Sequence, residues 1–286
     1  MIKQEHKNLV SIKRACELCN VSRSGYYEWL KRPAKTGVDI LGQKIKRIFK
    51  KSRKTYGTRR IKKQLVVEGI VASRQIIRRK MAEQGLVAKA HRKTRATTNS
   101  NHDHPVAPNL LGRQFDVQHP NKAWVMDITY LATSEGWLYL AIVLDLYSRM
   151  VVGWSISKRM TKELVIDALE IAIKRRNPAP GLICHSDRGS QYCSHAYQDL
   201  LQKHGFLCSM SRKGECLDNA CAETFFHSLK VEWIYGEPLK SRCRMKQEVR
   251  EYIEVFYNRQ RLHSKIGYIS PCDFERVNQS SFLLSA

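Results

Sequence analysis

The sequence predicts an α/β chain in which a mixed five-stranded sheet flanked by helices is preceded by all-α helix-turn-helix units. Three observations carry this. Helical periodicity with recognisable caps fills the first 98 residues, short apolar runs begin at Ala123, and a polar stretch bearing Pro105, Pro108 and Pro120 separates the two patterns. With 286 residues, 43% of them hydrophobic, the chain is long enough for one sizeable core and smaller satellite domains.

In the first part, residues 12–18 read as a helix, Cys19 and Asn20 as a turn, and Ser22 as the N-cap of a helix through Leu30. This is a small helix-turn-helix-like segment within residues 1–35. A second unit, residues 41–98, has helices at 41–51 and 58–65, a turn at Gly69, and a helix capped by Ser73 that ends at Gly85. The last helix carries Arg74, Arg78, Arg79 and Lys80, with Ile76, Ile77 and Met81 available for its buried side. A capped basic helix after a glycine turn has the form of a recognition helix in a major groove, or of a solvated helical face. Residues 99–112 read as a linker, 113–277 as the core and 278–286 as a tail.

Charge separates the same regions. The formal net charge is +24, from 50 basic and 26 acidic residues. Residues 41–98 hold 19 Lys and Arg against Glu68 and Glu83, which places +17 of that charge in one segment. Such an excess points to a polyanionic partner such as nucleic acid. No apolar run reaches membrane-spanning length and residues 1–14 lack the apolar core of a secretory signal, so a cytoplasmic protein is expected. Nine cysteines, an odd number, fit a reducing compartment better than a disulfide framework. Cys16 and Cys19 form a C-x-x-C with no second pair at zinc-finger distance, and read as helix residues.

Beyond the linker, residues 123–130, 137–144 and 151–156 fit three antiparallel strands. A helix over 162–175 precedes the run 182–185, which ends at Ser186 and Asp187 and looks like a strand parallel to the first. Helix 194–204, strand 206–210 and two long helices, 219–233 and 245–257, complete an order compatible with a ribonuclease H fold.

Three acids stand out in this framework. Asp127 interrupts an apolar, aromatic strand, where an ionised carboxylate is costly if buried. Asp187 closes a second apolar strand, ahead of Arg188 and Gly189, and Glu223 lies near the start of a helix whose apolar face includes Phe226 and Leu229. Carboxylates converging on one point need cations between them, and hard oxygen ligands suit a pair of magnesium or manganese ions.

The segments Met126-Asp127-Ile128-Thr129-Tyr130, His185-Ser186-Asp187-Arg188-Gly189 and Asp218-Asn219-Ala220-Cys221-Ala222-Glu223 resemble the three acidic motifs of DDE transposases and retroviral integrases. The 35 residues between Asp187 and Glu223 match the spacing of integrases and of insertion-sequence-three family transposases. Similar to that family, too, are Tyr26-Tyr27-Glu28-Trp29, Tyr56-Gly57-Thr58-Arg59-Arg60, Tyr257-Asn258-Arg259-Gln260-Arg261-Leu262-His263 and Gly267-Tyr268-Ile269-Ser270-Pro271. The resemblance runs from about residue 11 to 276.

It implies an RNase H-like core with Asp127, Asp187 and Glu223 as catalytic, metal-holding carboxylates. It also implies recognition of terminal inverted repeats, cleavage to a 3′ hydroxyl, transfer of that hydroxyl into target DNA, and a homo-multimer assembled on DNA. Lys230, seven positions after Glu223 and on the same helical face, matches the family's basic residue and could hold a DNA phosphate, or form a simple surface pair. Arg59 and Arg60 join the basic helix residues as candidate DNA contacts. Asp145 reads as structural, Asp218 and Glu215 as turn and helix-start acids, while Arg261 and His263 either contact phosphate or pack the C-terminal segment. The zinc module that begins retroviral integrases is missing, which points to a bacterial, nucleoid-associated element. With no sustained heptad pattern, the chain looks like the downstream reading-frame product, which often works fused to an upstream one. A nuclease that only hydrolyses and a DNA-binding remnant of an element remain alternatives at this stage.

Overall fold

A computed structural model describes residues 11–31, 39–89 and 106–284. Two compact units divide after Lys44. In the first, α1 (Ile12–Leu18) starts where the Ser11 hydroxyl accepts from Arg14 N–H, and ends at Cys19. Helix α2 (Arg23–Lys31) buries Tyr26, whose ring stacks 6.2 Å from Trp29. Cys16 is buried and Cys19 exposed.

Helix α3 (Ile40–Lys51) crosses the division and buries Ile45, Ile48 and Phe49. Helices α4 (Thr58–Val67) and α5 (Arg74–Glu83) pack on each other, with Ile61 and Leu65 buried on one and Ile77 and Met81 on the other. Ser73 caps α5 as its sequence requires, accepting from Ile76 N–H at 3.2 Å. Ile76, expected on the buried side, is exposed instead. The inward stripe of so short a helix is satisfied by residues four apart, and Ile77 and Met81 supply it.

Strands β1 (Ala123–Thr133), β2 (Gly136–Asp145) and β3 (Val151–Ser157) form an antiparallel meander. β4 (Ile183–Ser186) and β5 (Leu207–Met210) add in parallel, giving the order β3-β2-β1-β4-β5. The predicted five-stranded mixed sheet is therefore present. β4 pairs with β1 only at Ala123 to Val125, so β1 runs on past the end of its neighbour. Helices α6 (Lys162–Arg176) and α7 (His195–Lys203) cover one apolar face, where Trp124, Met126, Ala141, Val143, Leu169 and Tyr197 meet. Of the stretch read as a linker, residues 106–112 lie against β5. Met210 N–H donates to Pro108 O, and Leu110 and Leu111 N–H both donate to Ser209 Oγ.

The two long helices predicted for the C-terminal third are each broken into two kinds of helix. After a 3-10 turn at Cys216–Asn219, α8 (Ala220–Leu229) continues as π-helical turns over Lys230–Ile234, closed by a Tyr235 N–H to Lys230 O bond. Likewise α9 (Arg242–Arg250) widens into π-helical turns at Glu251–Tyr257. An apolar period does not distinguish these from a straight helix, because widened turns still present an apolar face. A 3-10 turn at Ser264–Ile266 and α10 (Pro271–Leu284) end the described chain. Among the described residues no helix is long and apolar enough to cross a membrane.

Close contact between β3 and α6 depends on Gly153. A Cβ there would stand 2.2 Å from the Ala168 carbonyl and 2.7 Å from the Ala172 Cβ, with backbone that cannot swing aside. Gly153→Ala should therefore lower stability by roughly 3 kcal/mol or more, the upper range for overpacking a dense core. Urea denaturation of the two proteins, compared at equal m-value, measures this.

Candidate active site

Asp127 sits on β1 just beyond its last pairing with β4. Protein surrounds its carboxylate closely enough to desolvate it even though the residue keeps some exposure. Burial holds the carboxyl well above the usual range, and the neighbouring charges of Asp187 and Glu223 push it further in the same direction. Opposing them are the Ile128 N–H, which donates to Oδ1 at 2.8 Å, and the Lys230 ammonium. Asp187 and Glu223, also singled out in the sequence, thus both lie within electrostatic reach of Asp127.

Asp187 follows the end of β4, and Gly189 N–H donates to its Oδ1 at 2.9 Å. Beneath it His185 is fully buried between the Ser209 and Ser211 hydroxyls, at 2.8 and 3.1 Å. Burial pushes this imidazole down to about 4, so it is neutral at pH 7 and joins β4 to β5 without adding charge. Arg188 turns back to donate from Nε to Ser211 O at 2.7 Å. Together these bonds fix the backbone that presents Asp187.

Glu223 occupies the exposed first turn of α8, and burial of its surroundings raises its carboxyl as well. Two preceding residues hold that turn in place. Asn219 Nδ2 donates to Met126 O at 2.9 Å, binding the start of α8 to the residue before Asp127. Asp218, fully buried, accepts from Arg212 at 3.0 to 3.1 Å, from Arg113 at 2.6 Å and from Asn109 at 3.0 Å. The Arg212 partnership holds its carboxyl far below the ordinary range. Sequence reading gave Asp218 a helix-dipole role and assigned none to Asn219. The contiguous Asp-Asn pair before a helix was the available signal, but apart from Arg212 its partners lie 93 or more residues away.

Lys230 begins the π-helical turns that follow α8, and its ammonium lies 4.9 Å from the centre of the Tyr130 ring. Burial lowers its pKa while Asp127 raises it. Beside these groups the Tyr192 hydroxyl is fully buried, with the charges of Asp127 and Asp187 acting on it and no hydrogen-bond partner among the described residues. Every candidate ligand here is a hard oxygen, which fits magnesium or manganese and disfavours softer metals. Among the described residues no three acid, His or Cys side chains stand close enough to enclose an ion, so the fit rests on donor chemistry.

The remaining candidates separate into two groups. Arg59, Arg74, Arg78 and Arg79 are exposed on α4 and α5, with Arg79 loosely paired to Glu83 at 3.7 Å. Arg59 and Arg74 share a shallow cavity of about 350 Å³ with Ser264 and Tyr268. Lys80 is 20% exposed and pairs with Glu83 at 3.0 Å. Arg60, by contrast, turns inward, 22% exposed, to Glu232 at 3.4 Å, and burial lowers its pKa. Arg60, a candidate DNA contact, thus already has a carboxylate of its own chain as a partner.

Arg261 resolves the same way. It is buried and holds Glu232 through two 2.7 Å bonds, with Ser228 as a third partner, so it packs the C-terminal segment. His263 is pushed down to about 3 by burial and by the Arg261, Arg149 and Arg60 charges, and accepts from Lys265 N–H. Asp145 is fully buried and accepts from Asn121 N–H, Tyr147 N–H and Arg176, the bonds of a structural residue.

An Integrase core domain model matches residues 117–216, a second model of that description matches 223–279, and an HTH-like domain model matches 38–94. The transposase InsF for insertion sequence IS3A of Escherichia coli (strain K12) is 44% identical, over 96% of this chain and 97% of its own. The chain belongs to the IS3-family transposases. The insertion element IS600 uncharacterized 31 kDa protein of Shigella sonnei is 47% identical, over 92% of this chain and 98% of that protein. Among solved structures, a chain of the simian T-cell lymphotropic virus intasome in complex with PP2A regulatory subunit B56 gamma aligns with a TM-score of 0.47 at 16% identity, covering 74% of this chain and 69% of that one. The HTLV-2 integrase catalytic core domain in complex with magnesium aligns with a TM-score of 0.41 at 17% identity, covering 54% and 96%. As an IS3-family transposase of the DDE type, the protein is a polynucleotidyl transferase acting in insertion-sequence transposition.

The raised Asp127 carboxyl has a sign that can be checked. A folded-state pKa above the unfolded value gives stability that is full below the unfolded pKa and lost as pH rises through the folded one. Asp127→Asn should therefore melt several degrees higher than wild type at pH 8 without divalent cations, and the gain should vanish near pH 4, by calorimetry. Separately, Arg261→Met strands Glu232 in the interior and should cost about 3 kcal/mol or more in chemical denaturation.

Proposed function

We propose that Asp127, Asp187 and Glu223 are the catalytic carboxylates of this transposase and together hold magnesium or manganese, as two ions. The observation that supports this most is the charge environment of Asp127, where two further carboxylates act on one desolvated group with Lys230 opposing them. Such a cluster is stabilised by added positive charge, and its oxygens are the right donors for it. Bound divalent cations supply Lewis acidity to the nucleophile and the leaving oxygen in phosphoryl transfer.

The chain's own residues do the positioning. Lys230 offers its ammonium to the phosphate beside the scissile one. The Asn219 bond to Met126 O keeps Glu223 in register with Asp127. With DNA in place, water attacks the phosphorus at the element end and the P–O3′ bond breaks, releasing the 3′ hydroxyl; that hydroxyl then attacks a target phosphodiester, forming the new phosphodiester as the target's own 3′ oxygen leaves as a hydroxyl.

The domain reading follows from the same assignment. Residues 1–35 are a helix-turn-helix-like segment and 41–98 the basic DNA-binding unit. A linker at 99–112, of which 99–105 lie outside the described residues and 106–112 lie against β5, leads to the catalytic core at 113–277, and 278–286, which α10 enters as far as Leu284, are the tail. Arg59, Arg74, Arg78, Arg79 and Lys80 face the terminal inverted repeats as phosphate and base contacts. The working species is a homo-multimer on paired ends and target DNA, assisted by the upstream reading-frame product, and it acts in the bacterial cytoplasm at the nucleoid.

Strand joining from a precut duplex carrying the element's flanking repeat tests the site. Asp127→Asn, Asp187→Asn and Glu223→Gln should each reduce joining by about 1,000-fold or more, the scale of several kcal/mol of lost transition-state stabilisation, while duplex binding stays within a few-fold. Joining retained by any one of the three removes that residue from the site. For the basic unit, four phosphate contacts predict that duplex affinity falls roughly 100-fold between about 50 and 200 mM salt. Substituting Arg74, Arg78 and Arg79 together by Ala should flatten that slope by about 2 to 3, and an unchanged slope would place the DNA elsewhere.

A further inference from the structure

Next to Lys230 lies a cavity of about 310 Å³ that the carboxylate chemistry does not use. Its walls are Tyr130 near the free end of β1, Trp137 on β2, Trp233 in the π-helical turns after α8, and the loop that carries Leu239 and Lys240. We infer that this cavity receives one unstacked nucleobase of the DNA substrate, that of the nucleotide adjoining the phosphate held at Lys230. The inference rests on the catalytic assignment above, since that is what brings a strand to Lys230.

Three features support a base as the occupant. First, the walls are aromatic and open. Trp137 is 50% exposed, Tyr130 39% and Leu239 65%, an unusual concentration of accessible apolar surface on a chain of net charge +24. The Tyr130 and Trp137 rings meet edge to face, 5.1 Å apart at 89°, which fixes their orientations while leaving both accessible. Any base presents a π-face to such rings, so stacking needs no particular sequence.

Second, the charge matches a nucleotide. Glu248 in the lining is paired with Lys240 and Arg244 at 3.2 and 2.9 Å, and Glu237 lies 3.9 Å from Lys89, so both acids are offset by cations. Lys230 meanwhile stands at the end nearest Asp127, over the Tyr130 ring. Phosphate at the ammonium and base against the rings is the pairing of groups that single-strand binding surfaces use.

Third, the cavity is built in advance. Ser134 N–H donates to Lys240 O at 2.9 Å, and Arg242 N–H donates to the Glu135 carboxylate, fastening the 236–240 loop to the β1–β2 turn. A held loop loses little freedom when a ligand arrives. Taking a base out of the stack beside the scissile phosphate would also free that phosphate's backbone to reach Asp127 and Glu223, which a regular duplex hinders.

A protein–DNA double-mutant cycle tests this in the full-length chain. Strand joining is measured with magnesium for wild type, Trp137→Ala and Trp137→Phe. The precut duplexes carry the element's flanking repeat either intact or with an abasic site at each of the last three nucleotides of either strand. Trp137→Ala should slow joining of the intact duplex about tenfold, the value of one aromatic–base stack, and Trp137→Phe should restore most of it. At one nucleotide the abasic site should slow wild type by a similar factor and slow Trp137→Ala no further. Additive losses at every position, or equal losses in the Ala and Phe variants, would overturn the assignment. Wild type that joins while Asp127→Asn does not shows that the catalytic reading stands, whatever Trp137 reports; failure of that control instead removes the catalytic reading and this inference together.

Discussion

Much of the second unit is organised around one buried carboxylate, Glu232. It lies in the π-helical turns after α8, and it is met there by Arg261 through two 2.7 Å bonds, by the Tyr252 hydroxyl at 3.1 Å and by Arg60 at 3.4 Å. Those partners come from the C-terminal segment, from the π-helical turns after α9 and from the basic helices. A charge so deeply placed is tolerable only while its partners stay, and the elements carrying those partners are thereby held together. Two further contacts run in parallel. The Tyr56 hydroxyl accepts from Leu262 N–H at 2.9 Å, and the Arg53 guanidinium lies 3.6 Å over the Trp233 ring. The basic helices are thus bonded to the very helix that bears Glu223.

That arrangement explains how Glu223 can stand on an exposed turn and still be positioned. Its helix is fixed at both ends, by Asn219 to the β1 backbone at one and by Glu232 to Arg261 at the other. Neither contact touches the carboxylates themselves. The site in between is free to be electrostatically unfavourable, with Asp127 desolvated and two like charges acting on it, because rigidity is supplied by groups outside it. Asp145 and Asp218, though acidic and fully buried, differ from Asp127 in their partners. Asp145 is paired with Arg176 and Asp218 with Arg113 and Arg212, and each accepts several hydrogen bonds.

The sheet and its order were legible in the sequence because strands announce themselves locally. The runs 123–130, 137–144 and 151–156 are short and apolar, and the observed strands extend them by no more than three residues. The three acids were singled out for a related reason, since an acid inside an apolar strand or at the end of an apolar element has few bland explanations. What stayed hidden depends on distant partners. Nothing near Arg60 in sequence predicts that it turns toward Glu232, 172 positions on, and nothing near Asn219 names Met126, 93 positions back. Widened helical turns were hidden too, because an apolar stripe persists through them.

Charge composition shows the same limit most clearly. The +24 total suggested a polyanion-binding protein, yet several of the arginines counted in it are internal braces. Arg149 is 5% exposed and donates to Phe115 O and the Cys221 thiol, Arg176 joins Asp145 to Glu275, and Arg261 and Arg60 close on Glu232. A guanidinium committed to a carboxylate of its own chain contributes little to a phosphate outside, since taking a new partner would strand the old one. Arg59, Arg74 and Arg78, by contrast, are held toward solvent by α4 and α5 while their neighbours Ile61, Leu65, Ile77 and Met81 face inward. Amphipathic helix geometry, more than net charge, decides which part of the molecule can grip a duplex.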